Sequence, residues 1–215
     1  MKYDWKKEDK EFYLPKGAPT LVRMPALSYF SVSGRGSPSG TDFQHAVEML
    51  YSASYTLKMF PKKHPVPADW YDYSVFPLEA AWAMPDGAEN RDAYEYDVMI
   101  RQPDFLTPSL RDTIMELCRT KKNDLPWERL ATMRHAEGEC LQILHIGPYA
   151  EEKASFDLLD AYCHEHALER RGLWHKEIYL SDPNRTQPDK LKTVLRYWVG
   201  PKGQKLSPVT WGGHG

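Results

Sequence analysis

The chain has 215 residues, 41% hydrophobic and 27% charged, with 28 basic against 30 acidic side chains and a formal charge of −2. That length supports one or two cores, and the near-neutral balance argues against a surface built to neutralise nucleic-acid phosphates. Cys118, Cys140 and Cys163 are far apart and odd in number, which suits a reducing compartment better than a disulfide framework.

The amino-terminal "MKYDWKKEDKEFYLPKG" mixes lysines with acids and has no apolar core of signal length. No later stretch reaches the roughly 18 apolar residues of a membrane span, so a cytoplasmic protein is expected, with neither membrane nor nucleic acid as partner. "LVRMPALSYFSVSGRG" alternates and carries β-formers until Gly34, Gly36, Pro38 and Gly40 break it, which predicts a strand and a loop. In "TDFQHAVEMLYSASYTLKMF", Phe43, Ala46, Val47, Leu50, Ser54 and Leu57 recur at helical spacing behind Ser39 or Thr41 as N-cap. "YSVFPLEAAWAM" and "AYEYDVMIRQP" follow as strands, with Asp86-Gly87 supplying turn chemistry between them. "TPSLRDTIMELCRTKK" predicts a helix capped by Thr107 with Pro108 in its first turn.

The same order then returns. "GECLQILHIG" predicts a strand and "PYAEEKASFDLLDAYCHEHALERR" a helix. Glu151 and Glu152 lie at the positive end of its dipole, Arg170 and Arg171 at the other, and Gly172 beyond. "WHKEIYLSD" and "LKTVLRYWVG" close the second half as strands. The expected fold is α+β, a single domain of two pseudo-symmetric strand-helix-strand-strand modules, residues 20–106 and 130–200, joined by a helical connector at 107–129. Antiparallel sheets carry helices on one face and leave a ligand cleft between the halves on the other.

Aligning "PLEAAW" with "HKEIYL" places Glu79 over Glu177, so two carboxylates are expected to flank one cleft, with Ile178 and Leu180 on the helix-covered face. Two readings of Glu177 stay open. It is either an edge-strand glutamate in water or a salt bridge, or a carboxylate partly dehydrated by aromatic walls, able to act as a general base or to attract a cation. Tyr179, two residues on, either packs across strands or donates to an oxygen that gains charge. Trp82, Tyr94, Tyr149, Trp174 and Trp198 are candidate ligand walls, with Glu79 a secondary acid.

Other motifs fall away. "SGRGSPSG" has neither dinucleotide spacing nor a following Gly-Lys-Ser/Thr. His164 and His166 in "CHEH" point about 160° apart on a helix, so no metal site is expected. No Gly-x-Ser-x-Gly elbow occurs, and no cofactor is expected.

Together "YDWKKEDKEFY", "SVSGRGSP", "VFPLEAAW", "HIGPYAEEKASF" and "HKEIYLSDPNRTQPDKLKTVLR" resemble the GyrI-like small-molecule-binding family in its stand-alone branch. The resemblance implies two strand-helix-strand-strand modules around a ligand cleft. Only about 20 residues precede the first strand, too few for a helix-turn-helix domain. Some stand-alone members are cyclopropanoid cyclopropyl hydrolases, which add water to the strained ring of flat DNA-alkylating compounds. The resemblance implies that activity here; Glu177 and Tyr179 both fall in the family's "EIYLSDP" motif, and their position in it is read as giving Glu177 the role of base and Tyr179 that of donor. Its alternative is a non-catalytic multidrug sink or sensor for cationic aromatic ligands, and the family's name adds a third role in gyrase inhibition. The expected partner is a small molecule, with at most a weak homodimer. Asn184 stands where a second basic residue is expected and Ala80 where glycine commonly follows the glutamate, departures that bear on ligand choice.

Overall fold

Two short helices, α1 (Trp5–Glu8) and α2 (Lys10–Tyr13), open the chain, with Asp4 capping the first by accepting from the Lys6 backbone N–H at 3.1 Å. The computed structural model describes residues 2–83 and 93–204. The first module consists of β1 (Thr20–Arg35), α3 (Thr41–Met59), β2 (Leu78–Ala83) and β3 (Glu95–Gln102). The Asp86-Gly87 turn expected between β2 and β3 lies outside the described residues. α3 is capped by Gly40, not by Ser39 or Thr41. The Ser37 and Ser39 hydroxyls bond each other at 2.9 Å, and Thr41 is already the first helical residue.

α4 (Pro108–Lys121) starts as its sequence predicts, with Thr107 Oγ1 accepting from the Leu110 N–H at 3.2 Å. The second module follows as β4 (Ala131–Ile146), α5 (Lys153–Glu165), β5 (Leu168–Arg170), β6 (His175–Tyr179) and β7 (Lys192–Pro201). α5 is shorter than the sequence suggests. Tyr149–Glu151 form a separate turn of 3₁₀ helix, and at the other end Ala167 adopts a left-handed φ of 52°. Leu168–Arg170 then pair with Val199–Pro201, and the Arg170 guanidinium lies over the Tyr197 ring at 4.2 Å. Arg170 therefore serves a strand and a cation–π contact, not a helix end.

All pairings among the named strands are antiparallel, in the order β4-β1-β3-β2-β6-β7-β5, and β4 also pairs with β7. The six longer strands close on themselves as a barrel-like ring. Its outer face carries the helices: Phe43, Ala46, Leu50, Ala53 and Leu57 of α3 pack with Phe30, Val32, Ala80, Val98 and Ile100, and Leu159 and Cys163 of α5 with Leu141, Ile143, Leu195 and Tyr197. The inner face encloses Val22, Met24, Tyr29, Met99, Cys140 and Trp198. Helices on one face of antiparallel strands agree with the expectation from sequence, but the helix-free face is a filled barrel interior and not a cleft. The two halves share one ring, because β2 pairs with β6 and β1 with β4.

Gly34 on β1 lies opposite Tyr96, and a Cβ there would come within 2.3 Å of the Tyr96 hydroxyl. That hydroxyl donates to Asp42 Oδ2 at 2.5 Å, near the start of α3. Gly34→Ala is expected to lower stability by about 1–3 kcal/mol through overpacking, read as a lower urea midpoint at unchanged slope.

Candidate functional site

Residues of β6 alternate strictly: Lys176 and Ile178 face the barrel interior, and His175, Glu177 and Tyr179 face outward. The interior holds a cluster of four mutually paired charges, Glu79, Glu137, Lys176 and Arg196, each at most 3% exposed. The Lys176 ammonium pairs with Glu79, sits 2.6 Å from Glu137 Oε1, and lies over the Tyr29 ring at 4.8 Å. Arg196 reaches Glu137 at 3.3 Å and Gln142 Oε1 at 2.8 Å, and donates to the Phe12 carbonyl at 2.5 Å. Tyr13 donates to Glu79 Oε1 at 3.1 Å, so the amino-terminal segment closes the ring through the same polar cluster. Gly138, at φ 71°, breaks the alternation of β4 and lets Glu137 and Cys140, three apart, both face inward.

On the outer face, α3 packs mainly on β1 and β3, whereas α5 packs mainly on β4, β5 and β7. The two strands at the centre of the order, β2 and β6, therefore lie beneath the gap between the helices. Glu177 sits there with its side chain 14% exposed. Tyr179 donates to Glu177 Oε2 at 2.8 Å, and His175 Nε2 stands 3.0 Å from Glu177 Oε1. Trp82 Nε1 in turn donates to the Tyr179 hydroxyl at 3.1 Å. Burial first and the Glu177 charge second raise the Tyr179 phenol well above its usual range, so it remains a protonated donor.

Rings wall this gap. Phe43 stacks on Trp82 at 5.2 Å, Tyr149 meets Tyr179 edge-on at 5.9 Å, and Phe156 meets His175 edge-on at 5.0 Å. His145 holds the turn carrying Tyr149, its Nε2 3.2 Å from the Pro148 carbonyl and its Nδ1 3.0 Å from Ser155 Oγ. Tyr51 and Tyr55 stack on α3 at 6.3 Å, 37% and 54% exposed. Burial, then Tyr55, then the charge of Asp182 raise the Tyr51 phenol. Burial also raises Tyr149, helped by Glu152, Glu177 and Asp182. Asp182 thus supplies negative potential at both rims.

Of the residues singled out in the sequence, Glu177, Tyr179, Trp82 and Tyr149 come together, with Tyr94 edge-on to Trp82 at 6.1 Å. Glu79 does not join them. The register sets Ala80, not Glu79, opposite Glu177, so the two carboxylates point to opposite faces of the sheet and cannot flank one cleft. Ile178, opposite Glu79, correspondingly faces inward rather than towards the helices. Trp198 lies in the barrel interior, and Trp174 packs against that interior cluster. Sequence reasoning missed His175, although the period of two that joined Glu177 to Tyr179 reaches it one step earlier. Phe156 gave no separate signal because it reads as one more apolar position on α5. No group of three or more His, Cys, Asp or Glu able to hold a metal occurs among the described residues. Nor is any helix among them long and apolar enough to cross a membrane.

A family model for the GyrI-like small molecule binding domain matches residues 17–199. The chain belongs to the GyrI-like family. A hydrolase from Listeria innocua is 35% identical over 92% of this chain and all of its own, with a TM-score of 0.85. An uncharacterized conserved protein from the same organism is 36% identical over the same shares, with a TM-score of 0.87. The EcmrR C-terminal domain, at 10% identity and a TM-score of 0.54 over 85% of this chain and 97% of its own, shares the fold alone. No curated protein matches. This GyrI-like chain is thus a small-molecule-binding domain on the strength of its family.

The interior cluster has a pH consequence. Burial pushes the Glu137 carboxyl up, but Lys176 and Arg196 outweigh it and hold it at about 2, against an ordinary 4.5. A depressed folded value stabilises fully above about pH 4.5 and loses that contribution as pH falls towards 2. Urea midpoints measured between those limits are expected to fall for the native chain. Glu137→Gln is expected to be about 3 kcal/mol less stable at neutral pH and to show a shallower acid dependence.

Proposed function

We propose that this protein is a hydrolase that detoxifies flat, cyclopropane-bearing DNA alkylators by adding water to the strained ring at Glu177. The observation that carries this reading is the Glu177 carboxylate itself, fixed at both oxygens and set among aromatic rings between α3 and α5. Similarity to a Listeria innocua hydrolase over nearly the whole chain supports a hydrolytic reaction.

The chemistry asks little beyond positioning and charge control. The oxygen of a water bonds to a ring carbon, a ring carbon–carbon bond breaks, and its electron pair moves to the conjugated carbonyl oxygen. Glu177 takes the water's proton, and the new oxyanion is protonated in turn, so the net change is one added water. In this reading Tyr179 donates to that oxyanion. Its O–H is held by Glu177 beforehand, and protonation of the carboxylate weakens that hold just as charge develops on the substrate. Surface hollows of about 400 Å³ beside α4 and about 510 Å³ beside the amino-terminal segment do not include Glu177. Tyr149, 38% exposed and edge-on to Tyr179, stands at the rim of the gap a planar substrate would enter.

A binding sink is the second reading, favoured by the paired Tyr51 and Tyr55 rings and the acidic Asp182 at the rim, which suit a cationic aromatic ligand. Mass spectrometry of a cyclopropane-bearing alkylator incubated with the protein separates the two. The hydrolase reading expects a product heavier by one water, with Glu177→Gln slower by about 10²–10⁴-fold while still binding. Saturable binding of unchanged compound supports the sink, and an equally fast Glu177→Gln rules out the assigned base.

A further inference from the structure

Three side chains, not two, occupy the outer face of β6, and the first of them touches the acid. His175 Nε2 is 3.0 Å from Glu177 Oε1, while Tyr179 occupies Oε2 at 2.8 Å. A carboxylate only accepts, so a hydrogen bond here requires the proton on His175 Nε2. Phe156 of α5 meets the ring edge-on at 5.0 Å, and Trp82 is the residue opposite His175 in the β2–β6 pairing. Trp82 also donates to Tyr179, so a run of hydrogen bonds from Trp82 through Tyr179 reaches the oxygen of the carboxylate that His175 does not meet.

We propose that His175 is a positioning residue that, as the Nε2–H tautomer, fixes the Glu177 carboxylate plane and leaves its remaining lone pairs aimed into the gap between α3 and α5. This rests on the reading of Glu177 as the base. With one donor on each oxygen the carboxylate cannot rotate, and a base held in one plane presents its lone pair to a bound water at a constant angle. Without His175, Tyr179 alone holds one oxygen, and the carboxylate turns about that single hydrogen bond. Nothing in this role requires His175 to touch substrate.

Two variants separate the hydrogen bond from simple packing. Gln carries an amide N–H at nearly the reach of imidazole Nε2, whereas Leu fills similar space with no donor. With a cyclopropane-bearing alkylator as substrate, His175→Leu is expected to lower kcat by roughly 100-fold with KM little changed, and His175→Gln to restore most of the loss. A His175→Leu enzyme as fast as the native one, or a His175→Gln enzyme as slow as His175→Leu, overturns the proposal.

A second measurement does not depend on turnover. Long-range ¹H–¹⁵N correlation spectra of the unmutated protein are expected to show His175 as the Nε2–H tautomer at neutral pH. A neutral Nδ1–H tautomer leaves no proton to bond the carboxylate and overturns the proposal even if the enzyme is active. If the native protein leaves every cyclopropane compound unchanged, the hydrolase reading fails, and the tautomer alone decides whether His175 fixes Glu177.

Discussion

The buried ammonium of Lys176, held between Glu79 and Glu137, governs the geometry of the site. β6 is only five residues long and alternates, so drawing Lys176 inward sends His175, Glu177 and Tyr179 outward. A slip of one residue would bring Glu177 into the interior beside two other carboxylates and remove their cation. Such an arrangement leaves uncompensated charge in a dry barrel, which costs several kcal/mol. Electrostatics inside the ring therefore specify which side chains face the helices. Arg196 extends the same constraint to the Phe12 carbonyl, tying the amino-terminal segment into the ring that positions the site.

On the outer face, the helices divide labour between them. α3 covers one flank of the sheet and α5 the other, and between them the outer face of β2 and β6 carries aromatic side chains from both modules. Trp82 belongs to the first module, Tyr179 and Glu177 to the second, and a continuous run of hydrogen bonds joins them. A site that straddles the module junction follows from the β2–β6 pairing and needs both halves to form. The acid at its centre has each oxygen engaged, and the rings around it exclude most water, the environment in which a fixed carboxylate acts most strongly on a bound electrophile or cation.

Much of this was legible in the sequence, and the limits have physical causes. Periodicity located the strands and long helices, since α3 and α4 carry regular apolar spacing and Thr107 with Pro108 marks a true helix start. Alternation alone grouped Glu177 with Tyr179, but it set them on the helix-free face, whereas β6 turns both to the helix-bearing side and Ile178 inward. What local pattern does not encode is register between strands distant in sequence. The similarity of "PLEAAW" to "HKEIYL" suggested that Glu79 and Glu177 share a face, whereas pairing offset them by one residue and gave Glu79 to Lys176. Closure of the ring was likewise invisible, because it depends on β4 using both edges, with β1 on one side and β7 on the other. The role of Trp198 follows from that closure: an aromatic that reads equally well as a ligand wall becomes barrel filling.

The family binds small molecules, and the proposed place for one on this protein is the gap above β2 and β6. A crystal structure of the Glu177→Gln variant with a planar cyclopropane-bearing compound tests that account most directly, because loss of the base leaves the compound intact. The account predicts the compound between α3 and α5, flanked by Tyr149 and Tyr179, with its ring carbon facing the side chain at position 177. A compound lodged inside the barrel, or beside α4 and away from β6, would contradict it.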